Sequence, residues 1–554
     1  MKPLCIFLIG AFAALLACKP AAPNIDDLPV DSAETRLPDA TFIQRDGAKL
    51  VLTGQPIQLY GMAFGNWVWD NAPTPPTLHH NEQDYARLRE LGMNCVRFYM
   101  NYTYFEDDAK PYTYKQTGWD WIDQNVRWAK QHGVYLILNV HVPQGGYQSQ
   151  GNGGGLWNVP ENQNRLAAWW KAIAQRYQNE PTIAGYDLLN EPVTTQSIGQ
   201  WQTLAQRLVN TIRSVDRRHL IVVERLNAVG KEWKDVNGER NMFLVKDDNV
   251  MYQFHLYDPF EFTHQTFSWA GRPADEVQRY PDLTKITVPS DATWYTGTFG
   301  NPTLPSGTTN WTYFEGVKYK ADDPKLKIGG AVCAAARLGN GRAFFDDLVI
   351  KEYDANGQFV RDVATFSLDS QDGWYFWSKA NTGALTVTDA GRAGKALSIS
   401  GTTDDANSGN YANKFAVQTG HSYQINGWMR GENVPANAGV QLRVDFETTS
   451  QPIVARGKEQ LRQAVQFYAD WGKKNNVPIY LGEYGAGAPC FRDDRGGVRW
   501  VDDMIDLNRE LGFHTTYHAY HEDSFGLFFG YNSLPSLSNA NTALLDLFKR
   551  KAGR

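Results

Sequence analysis

The chain has 554 residues and a net charge of −6, with both signs of charge interspersed. That length exceeds one ordinary core and predicts two folded modules, and the lack of a basic stretch argues against nucleic acid as a partner. The 18 Trp and 27 Tyr suit stacking on flat apolar faces such as sugar rings, although most of them are expected to be core.

The chain opens MKPLCIFLIGAFAALLACKP. A positive start, an apolar run and small residues predict a secretory leader over residues 1–18, too short for a comfortable membrane span. Leu15-Leu16-Ala17-Cys18 resembles a bacterial lipobox, which makes Cys18 the expected lipidation site. The expected location is a bacterial membrane surface (outer membrane, cell surface or periplasmic face), reached only through that anchor. Residues 19–40 are rich in Pro and Asp, lack periodicity and read as a tether. Of the five cysteines, Cys95, Cys333 and Cys490 remain after the leader. Their spacing fits no metal motif and allows one disulfide at most.

From Thr41 short apolar runs alternate with amphipathic stretches. The runs are Ile57–Phe64, Asn94–Met100, Val134–His141, Ile183–Glu191, His219–Glu224 and Val250–Tyr257. Asn81–Gly92 and Trp119–Gly133 show helical spacing and stop at glycine. Strand and helix in alternation predict a parallel sheet, with six strand–helix units complete by Tyr257. From about residue 289 the chain turns to Gly, Thr, Asn and Ser with short strands, as in Arg342–Tyr353, Ser422–Gly431 and Val440–Thr448, which predicts a β-sandwich. The first texture then returns, with helices at Gly457–Asn476 and Val498–Gly512 and strands at Val477–Gly485 and Phe513–Tyr520. Six units and two make eight. The expected fold is α/β, a (β/α)8 barrel formed by residues 41–288 and 453–554, with a β-sandwich of residues 289–452 inserted after strand six.

Such barrels carry their chemistry at the C-terminal ends of the strands. Strand four ends in Asn190-Glu191 and strand seven in Glu483. Strand two carries Arg97, strand three ends in His141, and strand six carries His255 and Tyr257. Two glutamates at separate strand ends, ringed by donors, are the equipment for glycoside cleavage. One carboxyl gives a proton to the leaving oxygen; the other, ionised, attacks the anomeric carbon or activates water. Arg97 beside a carboxylate would hold its pKa down, and Tyr257 is placed to orient it. Trp67, Trp69 and Trp157 are candidate sugar platforms. The glycine-rich Gln144–Trp157 lacks the Lys-Ser/Thr of a phosphate loop and reads as a cleft loop.

LLNEP, LGEYG, VRF at Val96–Phe98, NVHVPQGG at Asn139–Gly146 and HLY at His255–Tyr257 resemble, in order, the motifs of glycoside hydrolase family 5. The resemblance implies Glu191 as acid/base, Glu483 as nucleophile, Asn190 as a ligand of the sugar 2-hydroxyl, and Arg97, His141, His255 and Tyr257 as supports. It implies a retaining mechanism with no metal or organic cofactor. Two departures stand out. Asn139 sits where Asp is frequent, and strand eight lacks the family's tryptophan platform, leaving Tyr517, Tyr520 or His521 to stand in. The implied substrate is a β-linked polysaccharide or its oligosaccharides, with endo-β-1,4-glucanase action first. Mannan, β-1,3-glucan, a β-glucosyl glycolipid, or glycan binding without catalysis are the rivals.

The insert resembles jelly-roll carbohydrate-binding modules. In those, a strand like Ala343–Ile350 comes last and a segment like Ser422–Gly431 comes early; the reverse order here predicts a circularly permuted sandwich. Trp294, Trp311, Trp374, Trp377 and Trp428 are its candidate platform or core residues, and Asp346 and Asp347 are either calcium ligands or turn caps.

Overall fold

The computed structural model describes residues 41–552, apart from residues 290 and 393. The expected leader, Cys18 and the tether lie outside the described residues. Eight parallel strands close a barrel in chain order. They are Tyr60–Phe64, Cys95–Asn101, Tyr135–Val142, Ile183–Asp187, Leu220–Glu224, Val250–Leu256, Ile479–Tyr484 and His514–Tyr517, here called strands one to eight. Strand two is buried at every residue, and strand three at all but its first. Helices cover the outer face of such strands and the barrel interior buries the inner one, so their runs are continuously apolar.

Side chains alternate across a strand, and here that alternation sorts chemistry along the barrel axis. Cys95, Ile137, Leu220, Met251 and Tyr480 form an apolar cluster with Ile43 and Leu50, from and beside a three-stranded N-terminal meander that plugs the bottom of the barrel. Two or four positions further along the same faces come Arg97, Tyr99, Asn139, His141, Glu224, Gln253 and His255. The interior therefore passes from an apolar floor to a polar mouth at the C-terminal end.

The helices form as their sequences dictate. Asn81 caps Glu82–Glu90 in a capping box with Asp84, and Gly133, at φ 65°, ends Gln116–His132. Ile198–Arg213 buries Trp201, Leu204, Ala205, Leu208, Val209 and Ile212, one stripe at helical spacing. One unit departs from the expected pattern. Residues 225–249, between strands five and six, contain no helix. That segment is rich in Asn, Asp and Gly, and Asn241 fastens it as a loop by bonding the backbone of Lys234 and Val236.

The insert leaves after strand six through a stalk of two antiparallel strands, Asp282–Thr287 and Val454–Arg456. Helix Lys458–Asn475 and strand seven follow it, so the insert sits in the strand-six loop at the barrel's mouth. It is a sandwich of two antiparallel sheets. One is ordered Thr293–Gly297, Gly439–Thr448, Ile328–Ala336, Ala406–Asn410, Trp374–Ser378; the other is ordered Thr312–Glu315, Ser422–Glu432, Arg342–Tyr353, Ala396–Ser400, Ala384–Thr388. Cys333, Phe345, Ile350, Met429 and Phe446 help fill the core between them. Thr293 pairs with Thr448, so the insert's two ends meet. Meeting ends are the condition for plugging into a loop and for a permuted strand order. Trp374 is buried against Phe366. Asp346 accepts the Arg392 backbone N–H and Asp347 pairs with the Arg392 guanidinium, so both aspartates already have partners within the fold. Cys95, Cys333 and Cys490 are buried free thiols.

Candidate active site

The mouth of the barrel opens into a cleft of about 1270 Å³ that reaches from Glu191 and Glu483 to the stalk residues Thr287 and Pro289. Its floor is organised by Arg97, which is fully buried. Its Nε donates to Asp187 at 2.7 Å, Nη1 to Glu483 Oε1 at 2.5 Å and to the Tyr99 hydroxyl at 3.1 Å, and Nη2 to Asn190 Oδ1 at 2.9 Å. One side chain thus ties strand two to strands four and seven. Asn190 is oriented further by its own donation to Ser149 at 3.0 Å.

Glu483 receives donors on both oxygens. Oε1 accepts from Arg97 and from the Tyr99 hydroxyl at 2.6 Å; Oε2 accepts from the Tyr257 hydroxyl at 2.8 Å. Burial alone would raise this carboxyl, but the charges of His255 and Arg97 outweigh it and hold Glu483 well below the usual carboxylate range. It is therefore ionised, with Oε1 anchored twice and Oε2 once.

Glu191 faces it across His255. The imidazole Nδ1 lies 2.9 Å from Glu191 Oε1, 3.4 Å from Glu224 Oε1 and 3.6 Å from Glu483 Oε2. Because both catalytic candidates reach one nitrogen, their nearest oxygens are at most roughly 6.5 Å apart, the lower edge of the separation an inverting pair needs. Burial opposes protonation of His255, yet the neighbouring Glu224 and Glu483 carboxyl groups and the hydrogen bond to Glu191 outweigh it and raise its pKa. Glu191 itself has φ 41°, a left-handed turn that is rare for a non-glycine residue. Glu191, Glu224 and His255 offer ligand atoms within 4.8 Å of one another; His255 Nδ1 bonds Glu191 Oε1, while Glu224 Oε2 accepts the Glu191 backbone N–H and the Gln253 amide.

His141 stacks on Tyr99 with ring centroids 3.9 Å apart, and Tyr147 continues the stack. Burial keeps the His141 ring neutral, well below its ordinary pKa. Trp69 lines the cleft and donates weakly to Tyr531 at 3.4 Å. The remaining expected platforms fail. Trp67 packs on His79, His521 and Tyr531 outside the cleft lining. Trp157 is buried, with its indole N–H on Gln148. Tyr517 points outward against Phe548, and Tyr520 is buried between Asp84 and Arg87. His521 is buried on the backbone of His79 and Gly530.

The side chain that reaches the site from the end of strand eight is His518, with Nδ1 3.1 Å from the Tyr99 hydroxyl. Its signal was the two-residue alternation: Thr516 faces inward to Tyr480, so His518 follows it. The same parity marks Tyr99, Glu224 and Gln253. Trp233 and Trp269, both about half exposed, line the cleft from the loops after strands five and six.

Arg97→Met should cost about 3–5 kcal/mol at pH 7, because Asp187 and Glu483 lose their buried cation. Both carboxyls would then titrate higher folded than unfolded, so the deficit should shrink as pH falls to 4.5. Urea unfolding at both pH values checks this, and equal deficits would contradict it.

The family model for cellulase, glycosyl hydrolase family 5, matches residues 50–314, a span that ends inside the insert and short of Glu483. Endoglucanase C of Acetivibrio thermocellus is 30% identical over 189 residues, 34% of this chain and 53% of that protein. Beta-xylosidase of Phanerodontia chrysosporium is 28% identical over 189 residues, covering 33% and 38%. The chain spans about half the length of the first of these curated relatives. Thermotoga maritima Cel5A in complex with cellobiose is 16% identical with a TM-score of 0.47, over 89% of this chain and 97% of that one. The match over residues 50–314 is to the same family that the strand-end motifs resemble.

Proposed function

We propose that the protein is a retaining β-glycoside hydrolase that cleaves β-1,4-glucan within the chain. The observation that carries this is the asymmetry of the two carboxyls: Glu483 is ionised and held by three donors, whereas Glu191 lines the open cleft and, among the described residues, its carboxyl hydrogen-bonds only to His255. In the first step Glu483 Oε2, the less anchored oxygen, attacks the anomeric carbon while Glu191 gives its proton to the departing oxygen. The bond to the aglycone breaks and a glycosyl ester forms. In the second step the Glu191 carboxylate takes a proton from water, whose oxygen displaces Glu483, so the anomeric configuration is retained. Arg97 and Tyr99 fix the nucleophile, which lowers the reorganisation needed at each step. The endoglucanases among its relatives support β-1,4-glucan as the first substrate to test.

The insert's role is proposed on its surface. Pairing register places Trp294, Asp445, Arg443, Val332, Gly409, Tyr375, Asn407 and Trp377 on one outer face. Trp294 (57% exposed) and Trp377 (47%) stand at opposite edges; Trp294 is level with Ile328 and Trp377 with Ala334 of the central strand, so they lie about 19 Å apart across the sheet and about 20 Å apart along it. Polar groups lie between the two rims. Such a face suits a glycan chain. Arg456 of the stalk donates to the Ala412 carbonyl just beyond strand Ala406–Asn410, which ties that end of the sheet to the stalk. The lipobox reading adds that the enzyme is tethered to a bacterial membrane through Cys18, which detergent-phase partitioning of wild type against Cys18→Ala would check.

Wild type should release oligosaccharides from one polymer in a panel of β-glucans, mannan and xylan, and Glu483→Ala should lose at least about 10⁴-fold in kcat. Products from mannan or xylan alone would reassign the substrate. No turnover with binding intact would favour a glycan-binding protein. In the inactive Glu483→Ala chain, adding Trp294→Ala and Trp377→Ala should abolish retardation in gels containing the cleaved glucan; unchanged retardation would clear the sandwich face of that role.

A further inference from the structure

His255 bridges the two carboxyls only if its proton is on Nδ1. What puts it there lies beneath the sugar-facing surface, on strands five and six. Gln253 is fully buried and sits two residues before His255 on the same face of strand six. Its amide nitrogen lies 2.9 Å from His255 Nε2 and 3.0 Å from Glu224 Oε2. An amide NH₂ has two hydrogens and no lone pair to offer, so it donates to both. That makes Nε2 an acceptor and leaves the hydrogen of the neutral ring on Nδ1.

The amide is held in this orientation at a cost, since Gln253 Oε1 is buried without a partner. Turning it over would aim that oxygen at Glu224 Oε2. The same Oε2 accepts the backbone N–H of Glu191 at 2.9 Å and lies 3.9 Å from Arg97. An oxygen that already accepts an N–H beside a guanidinium favours the acceptor role, which makes Oε1 the better seat for a proton on Glu224.

We propose that Glu224 and Gln253 are positioning residues for the reaction inferred above. Glu224 orients the Gln253 amide, the amide fixes the Nδ1–H tautomer of His255, and His255 aligns Glu191 with Glu483. The same Glu224 oxygen pins the Glu191 peptide in its left-handed turn. Without it, His255 could turn a lone pair toward three carboxylates and Glu191 would be free to relax.

The charge balance fits. Asp187, Glu191, Glu224 and Glu483 crowd around Arg97 and His255. Burial first, then the charges of Glu191 and Asp187, push Glu224 up to about 8 against the pull of His255 and Arg97. A neutral glutamine is therefore a close copy of Glu224 at pH 6, with an oxygen for Oε2 and an NH₂ in place of the protonated Oε1.

This inference rests on the glycosidase reading, and two measurements keep the failures apart. On an aryl β-cellobioside, Glu224→Ala and Gln253→Met should lower kcat about 10–100-fold with KM within about threefold, because the loss is one of alignment. Glu224→Gln should recover most of that kcat at pH 6. Separately, ¹⁵N-histidine NMR of the full chain, with the His255 signals assigned by their loss in His255→Asn, should show Nδ1–H in wild type and Glu224→Gln once the ring is neutral. Gln253→Met and Glu224→Ala should show a mixed or reversed tautomer. If Glu224→Ala fails to fold, Gln253→Met and Glu224→Gln carry the test. An Nδ1–H tautomer unchanged in Gln253→Met, or wild-type kcat in the variants, overturns the proposal. If wild type turns over no β-glycoside, the function reading falls and the NMR result alone decides this one.

Discussion

The whole mouth of the barrel depends on one buried guanidinium. Arg97 reaches carboxylates on strands four and seven and an amide at the end of strand four. An unpaired ion of either sign there would be expensive, and the pairs repay that cost only with good geometry and further hydrogen bonds. Tyr99, Tyr257 and Asn190 supply those bonds. The outcome is one carboxylate kept ionised in a nearly dry site, with a second at the cleft wall where it can exchange protons with a substrate. The same bonds hold the site and join the strands, so Glu483 cannot be moved without disturbing three strands.

The rest of the architecture protects that arrangement and feeds it. Apolar side chains fill the lower barrel, and the meander closes its floor. Insertion of the sandwich into the strand-six loop leaves the eight-strand closure intact, because the stalk strands pair with each other outside the barrel. It also places Thr287 and Pro289 in the cleft wall. By strand order, the loop after strand one, with Trp69, faces the loop after strand five, with Trp233, across the two glutamates. A chain-like ligand laid between them would pass over Glu191 and Glu483.

Much of this was legible in the sequence. The apolar runs gave the eight strands, and the residues at their ends gave Arg97, His141, Asn190, Glu191, His255, Tyr257 and Glu483. Texture alone located the insert. What resisted reading were the rim loops. Asn66 and Trp67 both take left-handed backbone conformations, which turn the Trp67 indole away from the cleft, and no local pattern announces such a turn. Trp157 sits in a glycine-rich loop whose packing is decided by Gln148. At strand eight, aromatic character suggested Tyr517 or Tyr520, whereas alternation from Thr516 leads to His518. Parity outranked residue type there. It also marked Glu224 and Gln253, which look like ordinary strand residues until their neighbours are known.

The central claim is that Glu483 becomes covalently glycosylated. An activated 2-fluoro cellobioside tests it directly: fluorine slows both steps, the good leaving group restores the first, and the ester accumulates. Mass spectrometry should find one cellobiosyl-type adduct, on the peptide containing Val477–Gly485 and at Glu483. An adduct on Glu191 or Glu224, or turnover to the inverted anomer without any adduct, would contradict the account.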